Sequence, residues 1–171
     1  MEPGMRAAFD MGQEKHRDDL GGRFLMKIAV IDGESGTIGA TVVTKIRHTL
    51  GERIEIWALG TNAIATDRMM KAGANRGAAG EAAITRCAGQ VDIIVGSISI
   101  LVAHAFLGEV TPSIAEAVGT AEARKLILPI SQESVTVVST FPEPLPHMVE
   151  GLVKLHLAPL VDAADKNRKP H

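Results

Sequence analysis

The sequence contains no tyrosine, one cysteine and only 3% aromatic residues. Without tyrosine, the Tyr-x-x-x-Lys pair of short-chain and epimerase-like reductases cannot be built, so any hydride chemistry needs another proton carrier. The lone thiol, Cys87, excludes an intramolecular disulfide and suits a reducing compartment. Scarce aromatics imply an aliphatic core with close backbone contacts. An excess of charge is missing too: 18 Lys and Arg stand against 20 Asp and Glu, a net charge of −2. That balance gives no electrostatic case for nucleic acid or an anionic membrane. The longest apolar stretch, residues 93–107, is broken by Gly96, Ser97, Ser99 and His104. It is shorter than the ~20 residues a spanning helix needs. Residues 1–23 carry charges throughout and no signal-peptide core. There is no P-loop, no H-x-x-x-H, no clustered carboxylate pair and no G-x-S-x-G, and no metal site is expected.

What is present is organised around residues 26–39. A short apolar run, Ile28 to Ile31, ends in Asp32-Gly33, and Gly36 and Gly39 follow at three-residue steps. Ile38, Val42, Ile46 and Leu50 then mark one apolar face of a helix closed by Gly51. The chain continues as a strand at about 53–59, a helix opened by Thr61 or Asn62 and closed by Gly73, and a second glycine-rich loop over 73–80. A helix at about 79–88, a strand at 91–95 and a helical segment at 98–107 come next. Thr111-Pro112 opens another helix. Strands at about 125–130 and 135–139 are separated only by residues 131–134, too few for a parallel crossover, so an antiparallel edge hairpin is expected. A final helix spans about 147–161. The expectation is an α/β protein, Rossmann-like and three-layered (α/β/α), with a mostly parallel sheet of about five strands plus that hairpin. Residues 24–161 form its single domain, between a flexible extension (1–23) and a flexible tail (162–171).

Ligands of such folds bind at the carboxyl ends of the strands. That rule gathers Asp32 to Gly39, Gly60 to Asn62, and Gly96 with Ser97 on one rim. Gly33, Glu34, Ser35, Gly36, Thr37, Ile38 and Gly39 form a turn into a helix N-terminus, the arrangement that cradles a phosphate. The alternative is a tight strand–helix junction that binds nothing. Asp32 either accepts N–H bonds from the turn or holds Mg²⁺, and the first reading is favoured because a free carboxylate there would repel an anion. The second strand ends in Gly60-Thr61-Asn62 without the acid that holds a ribose in NAD binders. NADP therefore fits better than NAD, with Arg68 or Arg76 available to a 2′-phosphate. Thr61 and Asn62 serve equally as helix cap or ligand contact. Asn75 and Arg76 mark a second possible anion loop or an ordered turn. His104 and Glu109 are candidate acid/base residues, against a bonded core or interface histidine and a helix-exit glutamate.

Met26 to Gly39, Ala58-Leu-Gly-Thr-Asn62, Gly73-Ala-Asn-Arg-Gly77, Leu107-Gly-Glu-Val-Thr-Pro112 and Ile127-Leu-Pro129 together resemble an uncharacterised bacterial family known only as a domain of unknown function. The resemblance implies a small Rossmann-like domain in bacterial cytoplasm and carries over no catalytic residue. The functional expectation is a nucleotide-binding protein of NAD(P) type, its ligand a nucleotide or another phosphorylated small molecule, its reaction open. The rivals are a non-catalytic sensor or interaction subunit, with which a homo-oligomer is compatible, and a Mg²⁺-dependent enzyme acting on a small phosphorylated metabolite. Nucleic acid and membrane are not expected partners.

Overall fold

The computed structural model describes residues 26–130 and 134–167, so the expected extension over 1–23 and the last residues of the tail lie outside it. Strand β1 (Met26–Asp32) is buried along its whole length, as its unbroken apolar run requires. Helix α1 (Thr37–Leu50) returns over it, burying Val42, Val43, Ile46 and Leu50. Strand β2 (Ile54–Gly60), helix α2 (Ala63–Lys71), strand β3 (Arg76–Ala79) and helix α3 (Glu81–Cys87) follow. Strand β4 (Ile93–Ser97), helix α4 (Pro112–Thr120) and strand β5 (Arg124–Leu128) complete the sheet. The chain ends in one long helical element: α5 (Leu145–Gly151), a π-helical stretch (Leu152–Leu157) and α6 (Ala158–Asn167).

The sheet has the order β3-β2-β1-β4-β5, and its four strand pairings are all parallel. Side chains alternate between its two faces. Ile28, Val30, Ile93 and Val95 join α1, Met69 of α2 and the C-terminal helices in one cluster. Ala29, Ile31 and Ile94 join Ile84 of α3 and Ile114 and Val118 of α4 in the other. Helices thus cover both faces, which gives the expected three layers.

Among the described residues the expected antiparallel edge hairpin does not form. Five strands are reached instead because Arg76–Ala79, read from the sequence as part of a glycine-rich loop, pairs with β2 from Trp57↔Arg76 to Gly60↔Ala79. Its small residues hide the strand from any hydrophobic pattern. They are needed because a Cβ on Gly77 would lie 2.8 Å from Met70 Cγ. The expected strand at 135–139 holds only an isolated bridge at Val135, followed by turns. Val135 and Val137 are only half-buried and Val138 is 81% exposed, so the alternation puts no residue fully into the core.

The segment over 98–107 is also not a helix. A short 3₁₀ turn (Ile98–Leu101) gives way to a loop with left-handed backbone at His104, Phe106 and Leu107. The loop closes on itself through His104 N–H to Val110 O (2.6 Å) and Gly108 N–H to His104 O (2.9 Å). The final helix runs to Asn167, and Arg53 reaches it with 2.7 Å contacts to both Asp162 and Asp165.

Candidate functional site

The carboxyl ends of β1, β2 and β4 meet at one rim. After Asp32 the chain turns sharply, with Gly36 N–H bonded to Gly33 O at 2.8 Å and positive φ at Glu34 and Gly36. Asp32 is 4% exposed and fastens this turn to the helix: Oδ1 accepts Gly33 N–H at 2.9 Å and Oδ2 accepts Gly39 N–H at 2.7 Å. Burial pushes its carboxyl above the usual range against the pull of those two amides, and the nearby Glu34 and Glu109 push it the same way.

The three turn glycines each admit another part of the protein. A Cβ on Gly36 would lie 2.6 Å from Ala65 Cα in α2, and one on Gly39 would strike Met69 Sδ. One on Gly33 would lie 2.5 Å from Phe106 Cδ2 and 2.6 Å from Thr61 Oγ1. Close packing of α1 on α2 and of the 102–110 loop on the turn therefore accounts for the glycine spacing without a ligand.

The start of α1 carries the stronger chemical signal. Its N-cap, Gly36, offers no side chain, and Thr37 and Ile38 N–H have no intrahelical partner at such a position. Ser35 Oγ and Thr37 Oγ1 lie 2.8 Å apart, and Arg68 Nη1 on α2 donates to Thr37 Oγ1 at 2.8 Å. Two hydroxyls and a guanidinium thus gather at a helix N-terminus. One strand over, Ser97 is 1% exposed, and its Oγ has no hydrogen-bond partner. The alternation of β4 puts Ser97 on the face of Ile93 and Val95, which is also the face of Asp32 and α1. Gly96 lets β4 sit close: a Cβ there would lie 2.9 Å from Ile31 O.

At the end of β2, Thr61 N–H bonds to Asp32 O at 2.9 Å, and Asn62 caps α2 by accepting Ala65 N–H at 2.8 Å. Asn62 Nδ2 also donates to Glu34 O (3.0 Å) and to Glu109 Oε2 (2.9 Å). The same Oε2 accepts the Thr61 hydroxyl and, at 3.1 Å, Glu34 N–H. Partial burial raises the Glu109 carboxyl, but the donors from Thr61, Glu34 and Asn62 outweigh it and hold the group below its usual range. Asn62 is therefore the cap of α2 and also holds Glu34 and Glu109 in place. Glu109 thus places a carboxylate beside the end of β2. No sequence spacing could announce this, since Glu109 arrives from the loop before α4.

The remaining candidates have other surroundings. Asn75 Oδ1 accepts Ile56 N–H at 2.7 Å and is gripped by Arg47 Nη2, while Arg76 pairs with Glu55 at 2.8 Å and lies 5.8 Å from the Trp57 ring. Both stand at the amino end of β3, away from the rim. Gly60 lies under Thr66, where a Cβ would strike its hydroxyl. His104 is exposed, not set in an apolar helix. Cys87 is half-buried, and burial raises its thiol. Among the described residues no cluster of His, Cys, Asp or Glu could hold a metal, and no helix is long and apolar enough to cross a membrane.

Five parallel strands in this order, helices on both faces and polar groups gathered at the carboxyl ends define a doubly wound, Rossmann-like α/β protein. Within that class the chain belongs to the family described as Domain of unknown function (DUF3842), whose model matches residues 27–160. This agrees with the resemblance carried by its motifs. No curated protein matches it. Among solved structures it is similar to a universal stress protein in complex with cAMP, at 20% identity and a TM-score of 0.37, covering 61% of this chain and 98% of that one.

Proposed function

We propose that this protein binds a nucleotide or another phosphorylated small molecule at the rim, with a phosphate on the first turn of α1. The observation that carries the reading is the convergence of Ser35 Oγ, Thr37 Oγ1 and the Arg68 guanidinium on that helix start, where Asp32 takes only the Gly39 N–H. Backbone N–H groups, the helix dipole and a planar cation all favour a phosphate there. The unpartnered Ser97 hydroxyl on the same face supports it, because a buried hydroxyl without a partner is costly unless a ligand or water meets it. Asp32 is no part of an ion site in this reading, since both its oxygens accept main-chain N–H groups.

Calorimetric titration with ATP, NAD, NADP and FMN tests the proposal. At least one should bind, and Arg68→Ala should weaken it about tenfold or more, the size expected for a charge-assisted bond. No binding by any of them at millimolar concentration sinks it. A second reading, a non-catalytic interaction subunit, draws on Leu107 (92% exposed) and Ile64 (67% exposed), which flank the Glu109–Asn62 contact in sequence. Light scattering with and without nucleotide separates the two: self-association that ignores nucleotide favours the second.

A further inference from the structure

Glu109 stands where the second strand ends, beside the first glycine of the turn. In dinucleotide-binding folds that is where a carboxylate meets the ribose hydroxyls. Its Oε2 is fixed by donors from Glu34, Thr61 and Asn62. Its Oε1 accepts no hydrogen bond among the described residues, and the residue is partly exposed. The loop that delivers it is anchored rather than free. Phe106, 2% exposed, packs on Gly33, and left-handed backbone at Phe106, Leu107 and Gly108 turns the chain so that Glu109 faces β2.

We infer that Glu109 is a specificity-determining residue of this site, its free carboxylate oxygen accepting a hydroxyl of an unmodified ribose and rejecting a phosphate in that place. The inference rests on the nucleotide reading above and adds the ligand's polarity to it. Charge decides the arrangement. Glu34 and Glu109 lie close enough to Asp32 to perturb it, so the β1–β2 side of the rim carries three carboxyl groups. Arg68, a cation of α2, is bonded to Thr37 at the start of α1. A ligand phosphate therefore goes to α1 and Arg68, and a ribose hydroxyl goes to Glu109. A 2′-phosphate would meet like charge from Glu109 and Glu34 at short range. This reverses the preference for NADP over NAD drawn from the sequence, which rested on the missing acid after β2.

The test is a set of calorimetric titrations on the full chain with ATP, 2′-deoxy-ATP, NAD and NADP. The wild type should bind ATP about tenfold or more tightly than 2′-deoxy-ATP, and NAD more tightly than NADP. Glu109→Gln should narrow both ratios toward one while still binding ATP through α1. Glu109→Asp keeps the charge but shortens the reach, and should lose the ribose preference while still disfavouring NADP. Equal binding of ATP and 2′-deoxy-ATP by the wild type overturns the inference and leaves the nucleotide reading standing. So does undiminished discrimination in Glu109→Gln. Failure of every nucleotide to bind overturns both. The wild-type ratios need no variant, so the outcome holds even if a substitution unfolds the loop.

Discussion

Replacing Gly36 with alanine separates two meanings of the glycine turn, strand–helix packing and ligand approach. Gly36 has φ +71, and a Cβ there would lie 2.6 Å from Ala65 Cα and 2.9 Å from Ala65 O. Those neighbours are helix backbone and cannot swing aside as the end of a side chain could. The left-handed conformation costs an alanine roughly 1–2 kcal/mol. Forcing α2 away from α1 adds roughly 1–3 kcal/mol, the usual penalty for overpacking. The sum, about 2–5 kcal/mol, is a large share of a typical domain's 5–15 kcal/mol or so. Urea unfolding read by the fluorescence of Trp57, the single tryptophan and 8% exposed, measures the loss. Gly36→Ala should lose more than the roughly 1–2 kcal/mol that the left-handed backbone alone costs. A loss no larger than that conformational part would refute the claim that α1–α2 contact dictates this glycine.

Two further outcomes follow from buried polar groups at the rim. Ser97→Ala removes a hydroxyl that has no partner, so the ligand-free protein should keep its stability or gain up to about 1 kcal/mol in a thermal melt; a clear loss contradicts the orphaned geometry. Asp32 titrates higher in the folded protein than its ordinary value of 3.8, chiefly through burial, so the native state holds the proton more tightly than the unfolded chain. Its contribution to stability is full below that ordinary value and is lost as pH rises through the folded one. Urea midpoints of the wild type and Asp32→Asn between pH 3 and 7, a window of roughly this width, should therefore shift in the variant's favour as pH rises. A difference that does not change with pH contradicts the assignment.

The elements legible in the sequence were those with a hydrophobic period or a cap. The unbroken apolar run of β1, the fourfold stripe of α1 and the Thr111-Pro112 start of α4 all form as expected. β3 was illegible because Arg-Gly-Ala-Ala has no side-chain pattern, and its strand state comes from pairing with β2. The alternation at Val135 to Val138 misled in the opposite sense: it has the period of a strand, but Val135 and Val137 are only half-buried and no ladder forms along them among the described residues. The 98–107 stretch read as a helix because its residues are apolar. Loop closure on Val110 and the burial of Phe106 against Gly33 override that composition. At the site, spacing gathered the glycines, Ser35, Thr37, Thr61, Asn62 and Ser97 at one rim, since the carboxyl-end rule depends only on strand direction. It could not say that Glu109 would reach Asn62, or which of the arginines would reach Thr37. Both follow from how loops and helices pack.

Binding of a phosphate on the first turn of α1, the function proposed above, is read from the amide chemical shifts of ¹⁵N-labelled protein titrated with ATP. The largest shifts are expected at Ser35, Thr37, Ile38 and Gly39, with Ser97 responding from β4. Saturable shifts confined to other parts of the surface, with α1's first turn silent, would contradict it.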